Sequence, residues 1–261
     1  MNNIELYENE FRTFQKLIFT NVGITLNNSK KVMVQSRLNK RLLHFNLDSF
    51  AAYLRVVSID ESEKINMINI ITTNETYFFR ETAHFDFIKE YITKHSSLRV
   101  WSAAASVGAE AYSLAMLFND SLDEWSIFGS DINTEVIKKA KKGLYPLSWI
   151  DKIPPELKKK YCLKGVGKYS GQFLIDRILS KNIKFFTNNL LEQNTSIGSF
   201  DIIFLRNVLL YFNDETKQKV VEHTIANLKS GGYLIISLTE NINSINIPNL
   251  KQIRTSIYQK D

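Results

Sequence analysis

The sequence has little cysteine and no long apolar run. Cys162 is the single cysteine among 261 residues, which excludes an internal disulfide and is typical of a cytosolic protein. No apolar run approaches the roughly 18 residues that a membrane helix needs. Near the amino terminus, Glu5, Glu8 and Glu10 stand where a signal peptide would carry Lys or Arg. We therefore expect a cytoplasmic protein with no membrane insertion.

The composition is otherwise that of an ordinary globular protein with a basic excess. Hydrophobic residues make up 44% of the chain and charged residues 23%. The length suffices for one large domain or two smaller ones with their own cores. The net charge of +6 permits an acidic partner without naming one.

Residues 1–71 show helical periodicity and no strand-like alternation, which predicts a small all-α domain. Its second helix is unusual, because the stretch from Lys30 to Arg41 has five basic residues and no acidic one. Arg37, Lys40 and Arg41 form a stripe beside the apolar face. This stripe is either a solvated flank or a docking surface for an acidic partner, a nucleic acid or an acidic protein helix.

Residues 72–97 connect this domain to an α/β region. Polar residues alternate there with an aromatic cluster at 77–79, which we expect to pack against a ligand cleft, and a helix is predicted over 82–93. The stretch Leu98 to Met116 then combines a strand, a turn of small residues and a helix. That order is typical of the first unit of a doubly wound α/β domain, with or without a ligand.

A second strand is predicted at 126–130, and Asp131 follows it. An acidic residue at this spacing accepts hydrogen bonds from ribose hydroxyls in nucleotide-binding folds, although Asp is also a common helix cap. Glu110, near the start of the first helix of the α/β domain, has the same two interpretations. Because the turn lacks Gly-x-Gly-x-x-Gly, the sequence favours a nucleoside over a pyrophosphate-bearing dinucleotide.

The remaining pattern is α/β with one interruption. Residues 161–180 contain Gly165, Gly167 and Gly171 between two short β-like pieces, which predicts an inserted hairpin. Further strands are predicted at 183–186, 200–205 and 233–238, and residues through 257 close the sheet. A helix is predicted over 215–228, with Gly231-Gly232 as its stop.

Four stretches of this chain resemble, in order and spacing, the CheR family of chemotaxis receptor glutamate methyltransferases. They are TNETYFFRE, RVWSAAASVGAEAYSLAM, GSDINTEVIKKAKKGLYP and FDIIFLRNVLLYFNDETKQKVVEHTIANLKSGGYL. The resemblance implies a class I S-adenosylmethionine-dependent methyltransferase (Rossmann-like) domain at 98–261. It also implies an inserted small antiparallel β-subdomain and the preceding all-α domain.

The resemblance implies S-adenosylmethionine as cofactor, with S-adenosylhomocysteine as product, and it carries the family's contacts onto this chain. The implied cofactor contacts are Asn74, Thr76, Arg80, Glu110, Asp131, Asn189, Leu190, Asn207 and Val208. The implied substrate-orienting pair is Arg99 and Tyr211. Docking of a receptor's cytoplasmic helical bundle falls to the basic helix. Docking of a receptor carboxy-terminal peptide tether falls to the glycine-rich hairpin.

The implied reaction moves a methyl group from a sulfonium sulfur to a glutamate oxygen. A glutamate with an ordinary pKa near 4.3 is ionised at neutral pH and needs no general base. The four histidines are scattered, and we expect no metal and no nucleic acid, and a monomer. The protein's part is in-line alignment and removal of water.

The chain departs from the family pattern at Val107, Ala109 and Ala111, where the family usually has Thr or Ser, Glu and Pro. These departures leave open a catalytically weak S-adenosylmethionine-binding scaffold. The basic charge and the generic class I core leave open a methyltransferase for RNA or a small molecule, although the stretch from Arg206 to Leu209 lacks the motif usual for base methylation.

Overall fold

The computed structural model describes residues 4–261, so the first three residues of the predicted helical domain lie outside the described part. The chain forms two compact units. The first comprises the chain up to Thr73 together with Tyr211–Thr216, and the second comprises Asn74–Leu210 with Lys217–Asp261. Within residues 4–261, no helix is both long enough and apolar enough to cross a membrane.

The first unit is helical, as predicted. Ser49 and Asp60 are the amino-terminal caps of its third and fourth helices, because their side chains accept hydrogen bonds from backbone N–H groups of the first turns. The ring of Phe14 packs against those of Phe50 and Tyr53, at centroid distances of 6.1 and 6.2 Å. The helices are α1 Glu8–Val22, α2 Lys31–His44, α3 Phe50–Ile59 and α4 Glu61–Ile71.

The second unit contains a seven-stranded sheet and a three-stranded sheet. The strands are β1 Ser97–Ser102, β2 Glu124–Asp131, β3 Leu144–Pro146, β4 Cys162–Lys164, β5 Gln172–Ile175, β6 Ile183–Thr187, β7 Phe200–Leu205, β8 Leu228–Ile236, β9 Leu250–Arg254 and β10 Ile257–Lys260. The large sheet has the order β6-β2-β1-β7-β8-β10-β9, and β10 runs antiparallel to the other six strands. Strand order reverses at β1, and in such sheets the ligand cleft lies at the carboxyl ends of the strands around that point.

Helices cover this sheet, and their positions follow the predicted βα rhythm. They are α5 Thr82–Ile92, α6 Ala109–Phe118, α7 Thr134–Lys142, α8 Pro155–Tyr161, α9 Arg177–Ser180 and α10 Asp214–Ile225. Helix α6 is buried from Ala111 to Phe118, in keeping with its apolar sequence. Gly108 precedes it with φ +89°, and a Cβ there would come within 2.9 Å of the Phe185 ring. Glycine is therefore required at this turn by both backbone and packing.

The inserted β-subdomain has three strands rather than the two of the predicted hairpin. Its order is β3-β5-β4, so the extra strand begins at Leu144, directly after α7. Three residues are too few to show alternation, which is why the sequence pattern missed β3. Tyr145 and Phe173 pack their rings against Phe78 at 4.9 and 5.8 Å, which fastens the subdomain to the aromatic segment after Asn74.

The predicted role of Gly231-Gly232 as a helix stop was wrong. Helix α10 already ends at Ile225, and the two glycines lie inside β8. Gly231 has φ +73°, and a Cβ on Gly232 would come within 2.8 Å of the Asp201 carbonyl oxygen. The pair allows the close approach of β7 and β8 where their register shifts.

Candidate cofactor and substrate site

Asp131 ends β2 at the edge where the strand order reverses. Its two carboxylate oxygens accept hydrogen bonds from the backbone N–H groups of Ser106 and Asn133, both at 2.9 Å. Burial raises the pKa of Asp131, although the backbone N–H groups around it oppose this. The cap of α7 is instead the Asn133 side chain, which accepts from Glu135 and Val136 N–H. Asp131 is therefore not a helix cap, and its carboxylate lies at the cleft edge.

The turn after β1 lies beside Asp131 and is held by the backbone on both sides. Ala103 N–H donates to the Phe204 carbonyl and Ala105 N–H to the Ser130 carbonyl, both at 2.8 Å. Ser106 has φ +50°, and its hydroxyl donates to the Asn74 carbonyl at 3.0 Å. This last bond brings the segment after Thr73 to the same edge. Because the turn carries only methyl groups at positions 103–105, it leaves this edge unobstructed.

A buried arginine joins two carboxylates across this edge. Arg206, directly after β7, donates from Nη1 to Glu110 at 2.6 Å, and its Nη2 lies 3.2 Å from a Glu81 oxygen. The Arg206 Nη2 also donates to the Arg80 carbonyl at 2.5 Å. The other Glu110 oxygen accepts from the Ser102 hydroxyl at 2.7 Å. The network therefore sets the orientation of Glu110 and of the backbone at Arg80.

Asn207 lies next to this network with φ +57°. Its amide donates to Glu81 at 3.1 Å and to the Ser237 hydroxyl at 2.8 Å, and its N–H donates to Glu240 at 3.0 Å. Burial would raise the pKa of Glu81, but the Leu238 N–H, the Arg206 charge and these side-chain donors lower it to about 2. Burial raises the pKa of Glu240 despite its backbone donors. The two buried glutamates thus differ in their affinity for a proton.

His84 does not qualify as a general base. It is buried, and its Nε2 lies 2.7 Å from the Ser256 hydroxyl. Burial, followed by the Arg206 charge, lowers the pKa of His84 to about 4, against the smaller opposing effect of Glu81. A neutral, enclosed imidazole of this kind supports packing and hydrogen bonding rather than proton transfer to a substrate.

Two asparagines follow β6, next to Asp131. Asn188 N–H donates to the Asp131 carbonyl at 3.1 Å, and its buried side-chain nitrogen has no hydrogen-bond partner among residues 4–261. The predicted contact residue Asn189 accepts from Leu191 N–H at 3.1 Å, and Leu190 is half-buried beside it. An unsatisfied buried donor next to the cleft carboxylate is a feature that a bound ligand would satisfy.

Six of the predicted cofactor residues follow the carboxyl ends of β1, β2, β6 and β7: Glu110, Asp131, Asn189, Leu190, Asn207 and Val208. Asn74, Thr76 and Arg80 lie on the segment before α5, which reaches the same edge through the carbonyls of Asn74 and Arg80. Thr76 and Val208 are half-buried in those segments. Sequence reasoning missed Glu81, Arg206 and Glu240. Arg206 could have been found from the sequence, because a charged residue directly after a buried strand must find a partner when it is itself buried.

Arg99 is not at this edge. It lies in the first half of β1, and its guanidinium donates to the Ile197 carbonyl. The same group lies over the rings of Phe128 and Phe200, 4.4 and 4.9 Å from their centroids. Because Ile197 and Phe200 flank the start of β7, Arg99 faces the amino end of the sheet. This location is away from the cleft edge, and the role of Arg99 in the substrate-orienting pair stays a prediction.

Arg80 is the arginine that the structure places beside the cleft. Its Nη1 donates to the Glu75 carbonyl at 2.8 Å, and its Cζ lies 5.7 Å from the centroid of the Tyr77 ring. Tyr211, the other member of the predicted pair, belongs to the first unit, where its carbonyl accepts from Thr25 N–H at 2.8 Å. Its role at the substrate stays a prediction.

Two members of the predicted basic docking stripe serve the helical unit itself. Arg41 pairs with the buried Glu63 through two hydrogen bonds of 2.8 and 2.5 Å, and Tyr53 donates to the same carboxylate at 2.6 Å. Arg37 donates to the last carbonyls of α4, the shortest bond being 2.7 Å to Ile71. Lys40 is exposed, whereas Arg37 and Arg41 are half-buried, and docking of a partner by this stripe stays a prediction.

The glycines of the insertion differ from one another. A Cβ on Gly165 would come within 2.1 Å of the Tyr169 carbonyl, so this position is set by internal packing. Gly167 and Gly171 have φ of +57° and +79° with open space around them. Strand β4 is an edge strand of the small sheet, and its Leu163 is 51% exposed.

Two family models together match nearly the whole chain. "CheR methyltransferase, all-alpha domain" matches residues 9–72, and "CheR methyltransferase, SAM binding domain" matches residues 74–258. The chain belongs to the CheR methyltransferase family. The family's helical domain coincides with the four helices α1–α4, and its S-adenosylmethionine-binding domain contains the cleft described above.

Curated CheR relatives are similar along most of their length. The chemotaxis protein methyltransferase of Salmonella typhimurium is 37% identical over 250 residues, covering 93% of this chain and 87% of that protein. The Escherichia coli protein of the same name is 36% identical over the same shares. The Borreliella burgdorferi protein is 31% identical over 278 residues, covering 99% of this chain and 96% of that one.

The residues at the cleft fit the cofactor of this CheR domain. The ionisable carboxylate of Asp131 suits ribose hydroxyls, and the unpartnered amide nitrogen of Asn188 suits an acceptor beside them. The turn carries no glycine-rich phosphate-binding pattern, and S-adenosylmethionine carries no phosphate. These hydrogen-bonding groups and the turn therefore fit a nucleoside that carries an amino acid and no phosphate.

Proposed function

We propose that this protein methylates glutamate side chains in the cytoplasmic helical bundle of chemotaxis receptors, for sensory adaptation, as a cytoplasmic monomer. The observation that carries the proposal is the similarity to chemotaxis protein methyltransferases over most of the chain. A cleft that contains Glu110, Asp131 and Asn207 supports it. The bound cofactor supplies an electrophilic methyl group, and the chain's residues bind and align the reactants.

The cofactor's ribose is assigned to Asp131, whose carboxylate is presented at the end of β2. Glu110 is assigned to a polar group of the cofactor, and Arg206 orients the Glu110 carboxylate by a hydrogen bond. Asn74, Thr76, Asn189 and Leu190 complete the lining, together with Asn207 and Val208. Asn188 is added to this lining because its buried side-chain nitrogen has no hydrogen-bond partner among residues 4–261.

The acceptor is a glutamate carboxylate that is already ionised at neutral pH, so no residue has to remove a proton. The neutral, buried His84 agrees with this. We assign carboxylate positioning to Arg80 in place of Arg99, since within the described residues its side chain donates one hydrogen bond, to the Glu75 carbonyl. Tyr211 is retained as a residue that shapes the methyl path.

A scaffold that binds the cofactor without turnover was the alternative raised by Val107, Ala109 and Ala111. Ala109 and Ala111 are fully buried in α6, and the Val107 carbonyl accepts from the Tyr145 hydroxyl at 2.6 Å. In this chain these positions therefore contribute to the packing of the helix and the turn. Their effect falls on affinity rather than on the identity of the reaction.

One experiment tests the proposal directly. Labelled S-adenosylmethionine is incubated with a recombinant receptor cytoplasmic fragment, and base-labile methyl label on the fragment is measured. We expect label on the wild-type substrate and none on a fragment whose acceptor glutamates are alanine. Calorimetry with S-adenosylhomocysteine runs in parallel, because binding without methyl transfer would favour the scaffold. Label on RNA alone would favour an RNA methyltransferase.

The inserted subdomain is proposed to bind a receptor carboxy-terminal peptide along the open edge of β4. Such binding raises the local concentration of enzyme without changing the chemistry. We expect Gly167→Val to abolish micromolar binding of a peptide with an aromatic anchor, since a β-branched residue is strained at φ +57°. Val166→Thr, in the same loop, is the matched control, and methylation of a tether-less fragment should be unchanged in both variants.

A further inference from the structure

The inserted subdomain carries much of the basic excess of this protein. Residues 144–175 contain six lysines and two acidic residues. Lys158 pairs with Asp151 at 3.5 Å, and Lys160 pairs with Asp120 at 2.5 Å. The other four lysines have no carboxylate within ion-pair distance in the described part of the chain, and all four are exposed. They are Lys152, Lys159, Lys164 and Lys168.

Lys152 differs from the other three because it lies at the rim of the cleft. Its Nζ is 5.5 Å from the centroid of the Tyr77 ring, and the Cζ of Arg80 is 5.7 Å from the same centroid. Tyr77 is 37% exposed, so both cations border one accessible aromatic surface. Within residues 4–261 neither cation has a carboxylate partner, and Arg80 donates only to the Glu75 carbonyl.

The segment that carries Tyr77 is built into the cleft. Its first residue, Asn74, accepts from the Ser106 hydroxyl, and the carbonyl of Arg80 accepts from Arg206. Both contacts belong to the cofactor edge of the second unit. Lys152 and Arg80, the residue assigned to the acceptor carboxylate, therefore border the same ring on this segment.

Two cations next to one ring repel each other, and the ring's negative face offsets this only in part. An anionic group from outside the chain would complete the arrangement. The proposed reaction brings a carboxylate to Arg80, which leaves Lys152 to meet a second one. Nucleic acids bind single-stranded sites through stacking on free aromatic faces, whereas the Tyr77 ring is already bordered by two cations.

We propose that Lys152 is a specificity-determining residue of this enzyme, binding a second carboxylate on an acidic protein segment that flanks the methylated glutamate. This inference rests on the proposed function. Lys159, Lys164 and Lys168 add a longer-range attraction for the same acidic segment and favour its approach from the side of the insertion.

The test compares Lys152→Glu with wild type, using the receptor cytoplasmic fragment as substrate. Reversal removes one attraction and adds one repulsion at an exposed site, so KM for the fragment should rise about three- to tenfold. The kcat and the affinity for S-adenosylhomocysteine should be unchanged, and Lys152→Arg should restore KM. Lys251→Glu, an equal charge change at an exposed position of β9, is the matched control and should leave KM within about twofold of wild type.

A second substrate makes the test specific. In this fragment, the acidic residues near each acceptor glutamate, but not the acceptors, are changed to glutamine. Wild-type KM should rise for this fragment, and Lys152→Glu should raise it no further, because the two changes remove the same contact. An unchanged KM in Lys152→Glu, or an equal rise in Lys251→Glu, would overturn the inference.

Two other outcomes are informative. Tight binding of a single-stranded oligonucleotide that is lost in Lys152→Glu, with receptor KM unaffected, would assign the surface to nucleic acid and overturn the inference. Failure of the wild-type enzyme to label the fragment would overturn the proposed function itself. Normal labelling with no effect of Lys152 would overturn only the specificity role.

Discussion

Glu81→Gln removes the negative charge at the centre of the cleft network while keeping the size of the side chain. The carboxylate of Glu81 accepts from Asn207, from the Ser237 hydroxyl at 2.7 Å and from Leu238 N–H at 2.8 Å, and it faces Arg206. The glutamine retains one acceptor oxygen but turns a donor toward groups that are themselves donors. Among residues 4–261, Arg206 then keeps Glu110 as its only carboxylate partner.

The size of the effect follows from the pKa of Glu81, which is about 2 in the folded protein against an ordinary 4.5. A tenfold change in proton affinity corresponds to about 1.4 kcal/mol, so the ionised form contributes about 3 kcal/mol to the folded state. The side chain is 13% exposed, so solvent screens little of this. Because the folded pKa is lowered, this stability is present above pH 4.5 and is lost as the pH falls toward 2.

Tryptophan fluorescence during urea unfolding measures this, because Trp101, Trp125 and Trp149 all lie in the second unit. At pH 7 we expect Glu81→Gln to lower the unfolding free energy of that unit by about 3 kcal/mol. Between pH 5 and pH 2 the variant should lose about 3 kcal/mol less than wild type. Glu90→Gln, at an exposed ion pair with Arg254, should change little at any pH. If Glu81→Gln kept the pH dependence of wild type, the assigned electrostatics of the network would be refuted.

Three further predictions concern the cofactor edge, the turn and the helical unit. Asp131→Asn should weaken S-adenosylhomocysteine binding by about 1–3 kcal/mol in calorimetry. Since burial raises the pKa of Asp131, wild-type affinity should fall with decreasing pH through the acid range while the variant's stays level. Gly108→Ala should lower the thermal unfolding midpoint through a strain of about 1–3 kcal/mol at φ +89°, and an unchanged midpoint would contradict the packing described. Arg41→Met leaves the buried Glu63 carboxylate without its cationic partner, so it should destabilise the helical unit by about 3 kcal/mol in chemical unfolding. Lys40→Met should change the unfolding free energy by no more than about 0.5 kcal/mol. Equal effects of the two substitutions would contradict the structural role of Arg41.

The sequence by itself determined the features that depend on neighbouring residues. Helical periodicity predicted the helices of the first unit, and the structure shows their caps at Ser49 and Asp60 within the same segments. The succession of strand, small-residue turn and helix before and after Ala103 predicted the first unit of the sheet, and the position of Asp131 after β2 followed from it. These features are local, because a cap bonds to the next turn and a strand's side chains alternate along one segment.

Only the tertiary structure decided what the charged residues do. A stripe of arginines on a helix looks the same in sequence whether it faces solvent or, like Arg41, pairs with a buried glutamate 22 residues away. Arg99 and Arg80 both stand in family motifs, yet only the tertiary structure shows that the Arg99 guanidinium lies near Ile197, before β7, and that the Arg80 carbonyl contacts Arg206 in the cleft network. The pairing of Arg206 with Glu110 spans 96 residues. Charge pairing depends on distance in space and on burial, and neither can be read from spacing along the chain.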